Sequence, residues 1–211
     1  MTSLLPALQA QRPSRRDQQR EQTRLDLALA AFELARTHGL AEVRVPQVAA
    51  AVGVSPRTFN NYFPSKEAAI VWPATLRGAQ LAANLAGRPA EEPISEALVS
   101  AVAAIYTGED SDGLPEGWAL ELRTLIGKEP SLRGEYLKTA DVVEAALTNA
   151  IALRTGSSPS ELGPRVLAAV VLAGERAGFR YWARQAGPEI ALVELVRTAV
   201  SMAVRGTTNV E

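Results

Sequence analysis

The segment 57–61 carries side chains that can recognise nucleic-acid bases. Its guanidinium and amide groups belong to Arg57, Asn60 and Asn61. In a DNA major groove, arginine donates to guanine, and an asparagine amide pairs with the edge of adenine. The same residue types also occur on solvated helices that bind nothing. The composition therefore indicates base recognition only if one exposed helical face presents these side chains.

The residues around this segment predict two short helices joined by a tight turn. Pro46 and Pro56 suit a first helical turn, where the backbone needs no N–H donor. Gly53 can adopt a positive φ and end the first helix, and Ser55 can cap the second. Two helices joined in this way form the helix-turn-helix pattern, which also occurs in bundles that never meet DNA.

The second short helix is expected to divide into two faces. Phe59 and Phe63 are four residues apart, so both rings can point inward. The residues left outward are Arg57, Thr58, Asn60 and Asn61. A helix with these groups on its exposed face is typical of one that enters a major groove.

The charge distribution agrees with DNA binding by the N-terminal part of the chain. The 211 residues carry a formal net charge of −1. Residues 1–66 hold nine Arg and Lys against five Asp and Glu, whereas residues 67–211 hold thirteen against eighteen. A basic N-terminal part on a nearly neutral chain favours local phosphate binding by one domain.

Several classes of function are disfavoured by composition. The chain has no cysteine and a single histidine, His38, so neither a thiolate site nor a histidine-built metal site is expected. A glycine-rich phosphate loop and a zinc-protease motif are also absent from the sequence, so we expect no catalysis, no metal and no cofactor. No apolar run reaches the roughly 18 to 20 residues of a membrane helix, which predicts a soluble cytoplasmic protein without a membrane partner.

The N-terminal part divides into an arm and a small domain. Residues 1–15 are expected to form a flexible basic arm that reaches phosphates or a minor groove, or a plain solvated tail. Residues 16–65 are predicted to form the DNA-binding domain, whose first long helix runs from Arg16 to Thr37 and covers the two short helices. Lys66 follows, at the start of the next helix, where it could meet a phosphate.

The remainder, residues 66–206, is predicted to be a larger helical bundle that binds a ligand and forms a dimer. Pro73 should divide its first helix. Further helices are expected near Pro93–Tyr106, Pro115–Ile126, Pro130–Arg154, Pro159–Gln185 and Pro188–Val204. The fold class is therefore all-α, with a three-helix helix-turn-helix domain followed by this bundle.

The last two predicted helices favour a symmetric dimer. The final helix is apolar around most of its circumference and needs cover on two sides. Its predecessor carries small residues, Gly174 and Gly178 among them, that let another helix approach closely. Pairing both helices with their copies in a four-helix bundle meets both demands. The alternative is a monomer whose final helix is central.

The N-terminal motifs resemble the TetR family of bacterial transcriptional regulators. The resemblance covers roughly residues 20–70 and rests on a long helix, then V-A-A-A-V-G-V-S, then T-F-N-N-Y-F-P-S-K-E. It implies a homodimer on a pseudo-palindromic DNA operator. The implied DNA-contacting residues are Arg44, Gln47, Arg57, Thr58, Asn60, Asn61, Tyr62 and Lys66. Arg44 departs from the usual capping Thr, and Asn60 departs from a more usual aromatic residue.

The same motif is most similar to the branch of mycofactocin-system regulators, which implies a small-molecule effector that is apolar or acyl-CoA-like. Candidate ligand contacts are aromatic or polar residues on otherwise apolar helices: Tyr106, Trp118, Glu121, Tyr136, Arg176 and Phe179. The resemblance implies a repressor that a small molecule releases from its operator. The alternative is a DNA-binding activator or architectural protein of the same fold without an inducer.

Overall fold

A computed structural model of the chain describes residues 14–107, 118–184 and 191–206. Over these ranges the chain forms ten α-helices and one 3-10 turn, with no strand, and the all-α fold class is confirmed. The helices are α1 Arg15–His38, α2 Val45–Ala51, α3 Pro56–Tyr62, α4 Lys66–Val71, α5 Pro73–Ala86, α6 Ile94–Thr107, α7 Trp118–Lys128, α8 Pro130–Thr155, α9 Leu162–Arg184 and α10 Leu192–Arg205.

Helix α1 begins one residue earlier than predicted. The Ser14 hydroxyl accepts from the Asp17 N–H at 3.2 Å, and the Asp17 carboxylate accepts from the Ser14 N–H at 3.2 Å. These reciprocal bonds satisfy two donors that a helix start otherwise leaves unpaired. Arg15, predicted to lie in the arm, is therefore helical, and the rest of the predicted arm, 1–13, lies outside the described residues.

The two short helices form as predicted. Helix α2 carries Pro46 in its first turn, and Gly53 adopts φ +74° in the turn that follows. The Ser55 hydroxyl accepts from the Thr58 N–H at 3.1 Å, so it caps α3. Each of these signals is local, which is why the sequence located them correctly.

One apolar cluster, called here the N-terminal core, holds the helix-turn-helix in place and extends past it. It joins α1, α2 and α3 to Ile70 of α4. It also includes Trp118 and Leu122 of α7 and Leu132 of α8. The buried cluster therefore crosses the domain boundary predicted between residues 65 and 66.

Pro73 divides α4 from α5, as predicted. The intervening Trp72 keeps helical dihedrals, φ −56° and ψ −38°. Its N–H donates to the Ala68 and Ala69 carbonyls at 3.1 and 3.3 Å, whereas proline has no N–H to continue the ladder. The chain thus passes from the N-terminal core into the bundle without the hydrogen bond that an N–H at position 73 would donate. Its backbone dihedrals stay helical at Trp72.

The C-terminal bundle has its own apolar core between α5, α6, α8, α9 and α10. Helices α9 and α10 run antiparallel and approach closely at two glycines. A Cβ on Gly174 would lie 2.8 Å from Ala203 Cβ, and one on Gly178 would lie 3.0 Å from Ala199 Cβ. The predicted close approach of another helix is therefore confirmed, and that helix is α10 of the same chain.

Three predicted helix starts differ from the structure or lie outside the described residues. Helix α9 begins at Leu162 and not at Pro159, because residues 158–161 form a turn instead. In that turn the Glu161 N–H donates to the Ser158 carbonyl at 3.0 Å, and the Ser158 N–H donates to Glu161 Oε1 at 2.7 Å. The predicted starts at Pro115 and Pro188 lie outside the described residues.

Among the described helices, none combines the length and the apolar character that a membrane-spanning helix requires.

Candidate nucleic-acid and ligand sites

Helix α3 presents three polar side chains outward on a buried aromatic base. Arg57, Asn60 and Asn61 are exposed, whereas Phe59 and Phe63 are 0% and 3% exposed. The two rings lie 5.8 Å apart, centroid to centroid, within the range of favourable aromatic pairs. The predicted division of this helix into a buried and an exposed face is confirmed.

Thr58 and Tyr62 are less available than the other predicted contacts on α3. Both are half-buried. The Thr58 hydroxyl lies 2.9 Å from the Ser55 hydroxyl, and Tyr62 packs against the N-terminal core. Their side chains help to set the orientation of the helix, which leaves Arg57, Asn60 and Asn61 as its exposed polar side chains on this face.

Arg44 and Gln47 hold the start of α2. Gln47 Oε1 accepts from the Arg44 N–H at 3.0 Å, so the cap that an arginine side chain cannot provide comes from inside the helix. The Arg44 guanidinium donates to the Ala41 carbonyl and, at 3.3 Å, to the Val43 carbonyl. Both side chains thus have structural partners in addition to the predicted contact with the DNA backbone.

Lys66 ties α4 to the segment that precedes α2. Its ammonium donates to the Leu40 carbonyl at 2.7 Å and to the Val43 carbonyl at 2.9 Å. The sequence suggested only a phosphate contact for this residue. An ammonium has three donors, so one N–H is left after these two bonds.

A second group of polar residues lies inside the C-terminal bundle, where four helices meet. This charged cluster consists of Arg77 on α5, Tyr106 on α6, Arg123 on α7 and Glu175 on α9. Arg77, the Tyr106 hydroxyl and Arg123 all donate to Glu175 Oε1, with Arg123 Nη2 at 2.9 Å. Arg77 Nη2 also donates to the Tyr106 hydroxyl at 3.1 Å.

The protonation states in the charged cluster follow from burial and from the two guanidiniums. Burial alone would raise the pKa of Glu175, but the attraction of Arg77 and Arg123 outweighs it and lowers the pKa to about 2. Burial, with the Glu175 charge adding to it, raises the pKa of Tyr106 to about 12. At neutral pH the cluster therefore holds two positive charges and one negative charge.

A small cavity adjoins the charged cluster between α5, α8 and α9. Its volume is about 20 Å³, room for about one water molecule. Arg77, Glu175, Arg176 and Tyr136 line it, together with the apolar residues Ala74, Leu81, Val143 and Leu172. Apolar walls with a few convergent polar groups are typical of ligand pockets.

Four of the six predicted ligand residues lie at or beside this cavity. Tyr136 and Arg176 line it. Tyr106 contacts two lining residues through the charged cluster. The Phe179 ring lies 4.6 Å from the Arg123 guanidinium carbon, so it stacks beneath the same cluster.

The other two predicted ligand residues lie elsewhere. Trp118 is buried in the N-terminal core, 7% exposed. Glu121 is exposed, and its carboxylate lies 3.6 Å from Arg36 Nε on α1. Neither residue lines the cavity, because these faces of α7 point towards α1 and the N-terminal core. The cavity therefore does not support a ligand contact for either residue, and both contacts remain predictions.

Three members of the charged cluster, Arg77, Arg123 and Glu175, were not among the predicted ligand contacts. The spacing of apolar residues along α5 and α9 nevertheless carried information about two of them. Glu175 lies three residues after Leu172 and four before Phe179, on the buried face of α9. Arg77 lies four residues before Leu81, on the buried face of α5. A charge in an otherwise apolar helical stripe indicates a buried partner, and this pattern could have identified both residues.

Family models match both parts of the chain. One, described as bacterial regulatory proteins of the tetR family, matches residues 28–69. Another, described as the MftR C-terminal domain, matches residues 92–208, which is more than half of the chain. The first match contains α2 and α3 with their exposed polar face, and the second contains Tyr106, Arg123 and Glu175 of the charged cluster.

Curated relatives are similar over most of the chain. The transcriptional regulator TcmR of Streptomyces glaucescens is 32% identical over 183 residues, which are 84% of this chain and 80% of TcmR. A protein named as the mycofactocin biosynthesis regulator MftR of Mycobacterium tuberculosis is 23% identical over 193 residues, 92% of this chain and 95% of the relative.

Solved structures share the fold. The fatty acid degradation regulator FadR of Bacillus halodurans has a TM-score of 0.55 at 16% identity, covering 88% of this chain and 96% of that one. GusR of Salmonella enterica has a TM-score of 0.52 at 17% identity over the same shares. With the exposed face of α3 and both family matches, these likenesses identify the chain as a member of the TetR family: a DNA-binding transcriptional regulator with a C-terminal ligand-binding domain.

Proposed function

We propose that the chain is a repressor that a small molecule releases from its operator. The observation that carries the proposal is the position of α7. This helix buries Trp118 and Leu122 in the N-terminal core, which supports α3, and it places Arg123 in the charged cluster beside the cavity. We call α1, α2 and α3 together the reading unit. Helix α7 thus contacts both the reading unit and the interior of the ligand-binding domain.

The repressor is proposed to act as a homodimer through α9 and α10. With Gly174 and Gly178 facing α10 of the same chain, a neighbouring side of α9 is exposed. That side carries a row of exposed apolar side chains, Leu162, Val166, Ala173, Ala177 and Tyr181, and Met202 of α10 is exposed as well. A second copy would cover this row and place two α3 helices on half-sites about 34 Å apart in a pseudo-palindrome.

A ligand can release DNA only if it binds one arrangement of the dimer better than another. The effector is proposed to be apolar or acyl-CoA-like. The apolar walls of the cavity suit an acyl or similar body. Arg176 on α9 lines the same cavity and could bind a phosphate of a coenzyme A.

The DNA assignment is tested by electrophoretic shift with the DNA upstream of the chain's own gene, at physiological salt. Arg57→Ala and Asn61→Ala should each weaken specific binding by about 1–3 kcal/mol, roughly fivefold to 150-fold, because each removes a base contact. Lys138→Ala is the matched control, since this exposed lysine on α8 pairs with Glu135 far from α3. Unchanged affinity in both α3 variants would mean that another surface reads the DNA.

The dimer is tested by sedimentation of a charge variant on α9. Ala177→Arg introduces a charge into the middle of the exposed apolar row and should produce monomers. Leu153→Arg is the control, because Leu153 is 83% exposed but lies on α8 outside this row. If both variants sediment like the unmodified protein, α9 does not form the interface.

The release step is tested by adding a series of acyl-CoAs to the protein–operator complex. Loss of the shifted band with at least one chain length is expected. Operator binding that persists with acyl-CoAs, free acids and neutral lipophilic compounds alike would favour the alternative, an activator or architectural protein without an inducer.

A further inference from the structure

We infer that the charged cluster is a carboxylate receptor: the effector carries a carboxylate on an apolar body, and this carboxylate binds Arg77 and Arg123 in competition with Glu175. The inference rests on the proposed effector response and specifies the chemistry that triggers it. Three residues of this cluster, Arg77, Arg123 and Glu175, were not among the ligand contacts that the sequence predicted.

The charge balance around the cavity favours an additional anion. Arg77 and Arg176 line the cavity, and Arg123 contacts Glu175 beside it; among the lining residues in the described part of the chain, Glu175 is the one acid. The side chains of Arg77 and Arg123 are only 7% and 8% exposed. Uncompensated buried positive charge is costly, so the site favours an additional anion.

The guanidinium groups of the charged cluster have more hydrogen-bond donors than Glu175 can accept from. Each guanidinium has five N–H donors, and three donors of the charged cluster already converge on the single atom Glu175 Oε1. Arg77 Nε and Arg123 Nε are buried, and neither makes a hydrogen bond to any residue that the structure describes. A second carboxylate would supply up to four acceptor positions in the planar geometry that guanidinium groups match best.

The position of the cavity suits a ligand that joins a carboxylate to an apolar body. It lies directly against Arg77 and Glu175, and its remaining wall includes Leu81, Val143 and Leu172. A ligand whose carboxylate meets the guanidiniums would therefore place its apolar body against these side chains. At about 20 Å³ the cavity is too small for that body, so binding must separate α7 or α8 from α9.

The replacement of Glu175 by a ligand carboxylate as the partner of Arg123 explains how ligand binding would change DNA affinity. Arg123 holds α7 to α9 through Glu175 at 2.9 Å. When a ligand carboxylate replaces Glu175 as its partner, that link is released. Trp118 and Leu122 of the same helix are buried in the N-terminal core, so a shift of α7 is passed to α1 and α3.

The first experiment titrates the full-length protein by calorimetry with octanoate, dodecanoate and 2-naphthoate, each paired with its methyl ester. At least one acid should bind about tenfold or more tightly than its ester, because the ester leaves a buried guanidinium without a charged partner. The same acid should release the operator. Equal affinity of acid and ester, or no binding by any acid, would overturn the inference.

These outcomes separate the inference from the proposed function. If only coenzyme A thioesters bind and release the operator, the effector response stands and the carboxylate receptor is wrong. If the protein fails to bind the DNA upstream of its gene in the absence of any ligand, the proposed function itself fails.

The second experiment removes the internal competitor. Glu175→Gln should raise the affinity for the acid about tenfold and leave that for the ester unchanged, since only the acid competes with the Glu175 charge. Glu135→Gln on the surface of α8 is the control. A folded Glu175→Gln variant with unchanged affinity for the acid would contradict competition.

Arg123→Lys keeps the test decisive if Glu175→Gln does not fold. A lysine retains the charge but loses the planar pair of donors. Binding of the acid should weaken about tenfold while binding of the ester stays the same. Equal losses for acid and ester would show a merely structural role for Arg123.

Discussion

The interiors of the two parts of this regulator differ in kind. The N-terminal core is apolar throughout, with Phe59 fully buried and no buried charge among its described residues. In the described part of the chain, the buried polar or charged residues Arg77, Thr148 and Glu175 all lie in the C-terminal interior, together with the 8% exposed side chain of Arg123. An apolar, close-packed core has one preferred arrangement, whereas a buried ionic cluster can exchange partners. The reading unit is therefore suited to a constant shape, and the bundle is suited to a response.

The largest expected effect is on the charged cluster. Glu175→Gln should lower the free energy of unfolding by about 3–5 kcal/mol, because two buried guanidiniums lose their counter-charge. Glu33→Gln, which removes an exposed partner of Arg36, should cost less than about 1 kcal/mol. Urea unfolding of both variants provides the comparison.

A triple variant sharpens the same contrast. Replacing Arg77 and Arg123 by Met and Glu175 by Leu removes the whole cluster and should recover most of the loss, since a buried ionic group often contributes no more than an apolar substitute. Recovery of stability with loss of effector response would indicate that the cluster is retained for function. A triple variant as unstable as Glu175→Gln would contradict this view.

A pH dependence should follow from the same carboxyl group. The pKa of Glu175 is lowered from an ordinary 4.5 to about 2 in the folded protein. Its ionised form thus stabilises the fold fully above pH 4.5, and this contribution is lost as the pH falls towards 2. The difference in unfolding free energy between the unmodified protein and Glu175→Gln should therefore shrink over this range. A difference that stays constant to pH 2 would mean that Glu175 is not held ionised by the arginines.

A smaller effect is expected where α9 meets α10. Gly174→Ala should destabilise the fold by about 1–3 kcal/mol, because its Cβ would lie 2.8 Å from Ala203 Cβ and 2.9 Å from the Ala199 carbonyl oxygen. Gly127→Ala is the control, since nothing lies within 4 Å of a Cβ there. In that exposed helical position alanine should stabilise by up to about 1 kcal/mol. Thermal unfolding that ranks both variants equally would argue against close α9–α10 packing.

The smallest effect tests the reading unit. Ser55→Ala removes the oxygen that accepts from the Thr58 N–H, and it should cost about 1 kcal/mol. DNA affinity should fall with it, because α3 begins at this cap. Ser131→Ala, inside the first turn of α8 and exposed, is the control. Full stability and affinity in Ser55→Ala would show that Phe59 and Phe63 alone position α3.

The comparison also explains what could be predicted from the sequence. The reading unit depends on signals within a few residues of one another, such as Pro46, Gly53 and Ser55, and these were located correctly. The charged cluster depends on Glu175 meeting Arg77 and Arg123, which are 98 and 52 residues away in the chain. Nothing in the local pattern pairs such distant residues.

The positions of Trp118 and Glu121 on α7 have the same origin. Their types suit a ligand, but the face of a helix that meets a given neighbour is set by tertiary packing. Here that neighbour is the N-terminal core and Arg36 of α1. Arg123, two residues after Glu121, contacts Glu175 in the charged cluster instead.

Lys66 has a thermodynamic consequence for DNA affinity. A free lysine loses up to roughly 2 kcal/mol of rotamer entropy when a phosphate immobilises it. The Leu40 and Val43 carbonyls already immobilise this ammonium in the folded protein, so that loss belongs to folding and not to binding. A phosphate met by its third N–H would gain a charge-assisted bond from a group that no longer has to be ordered.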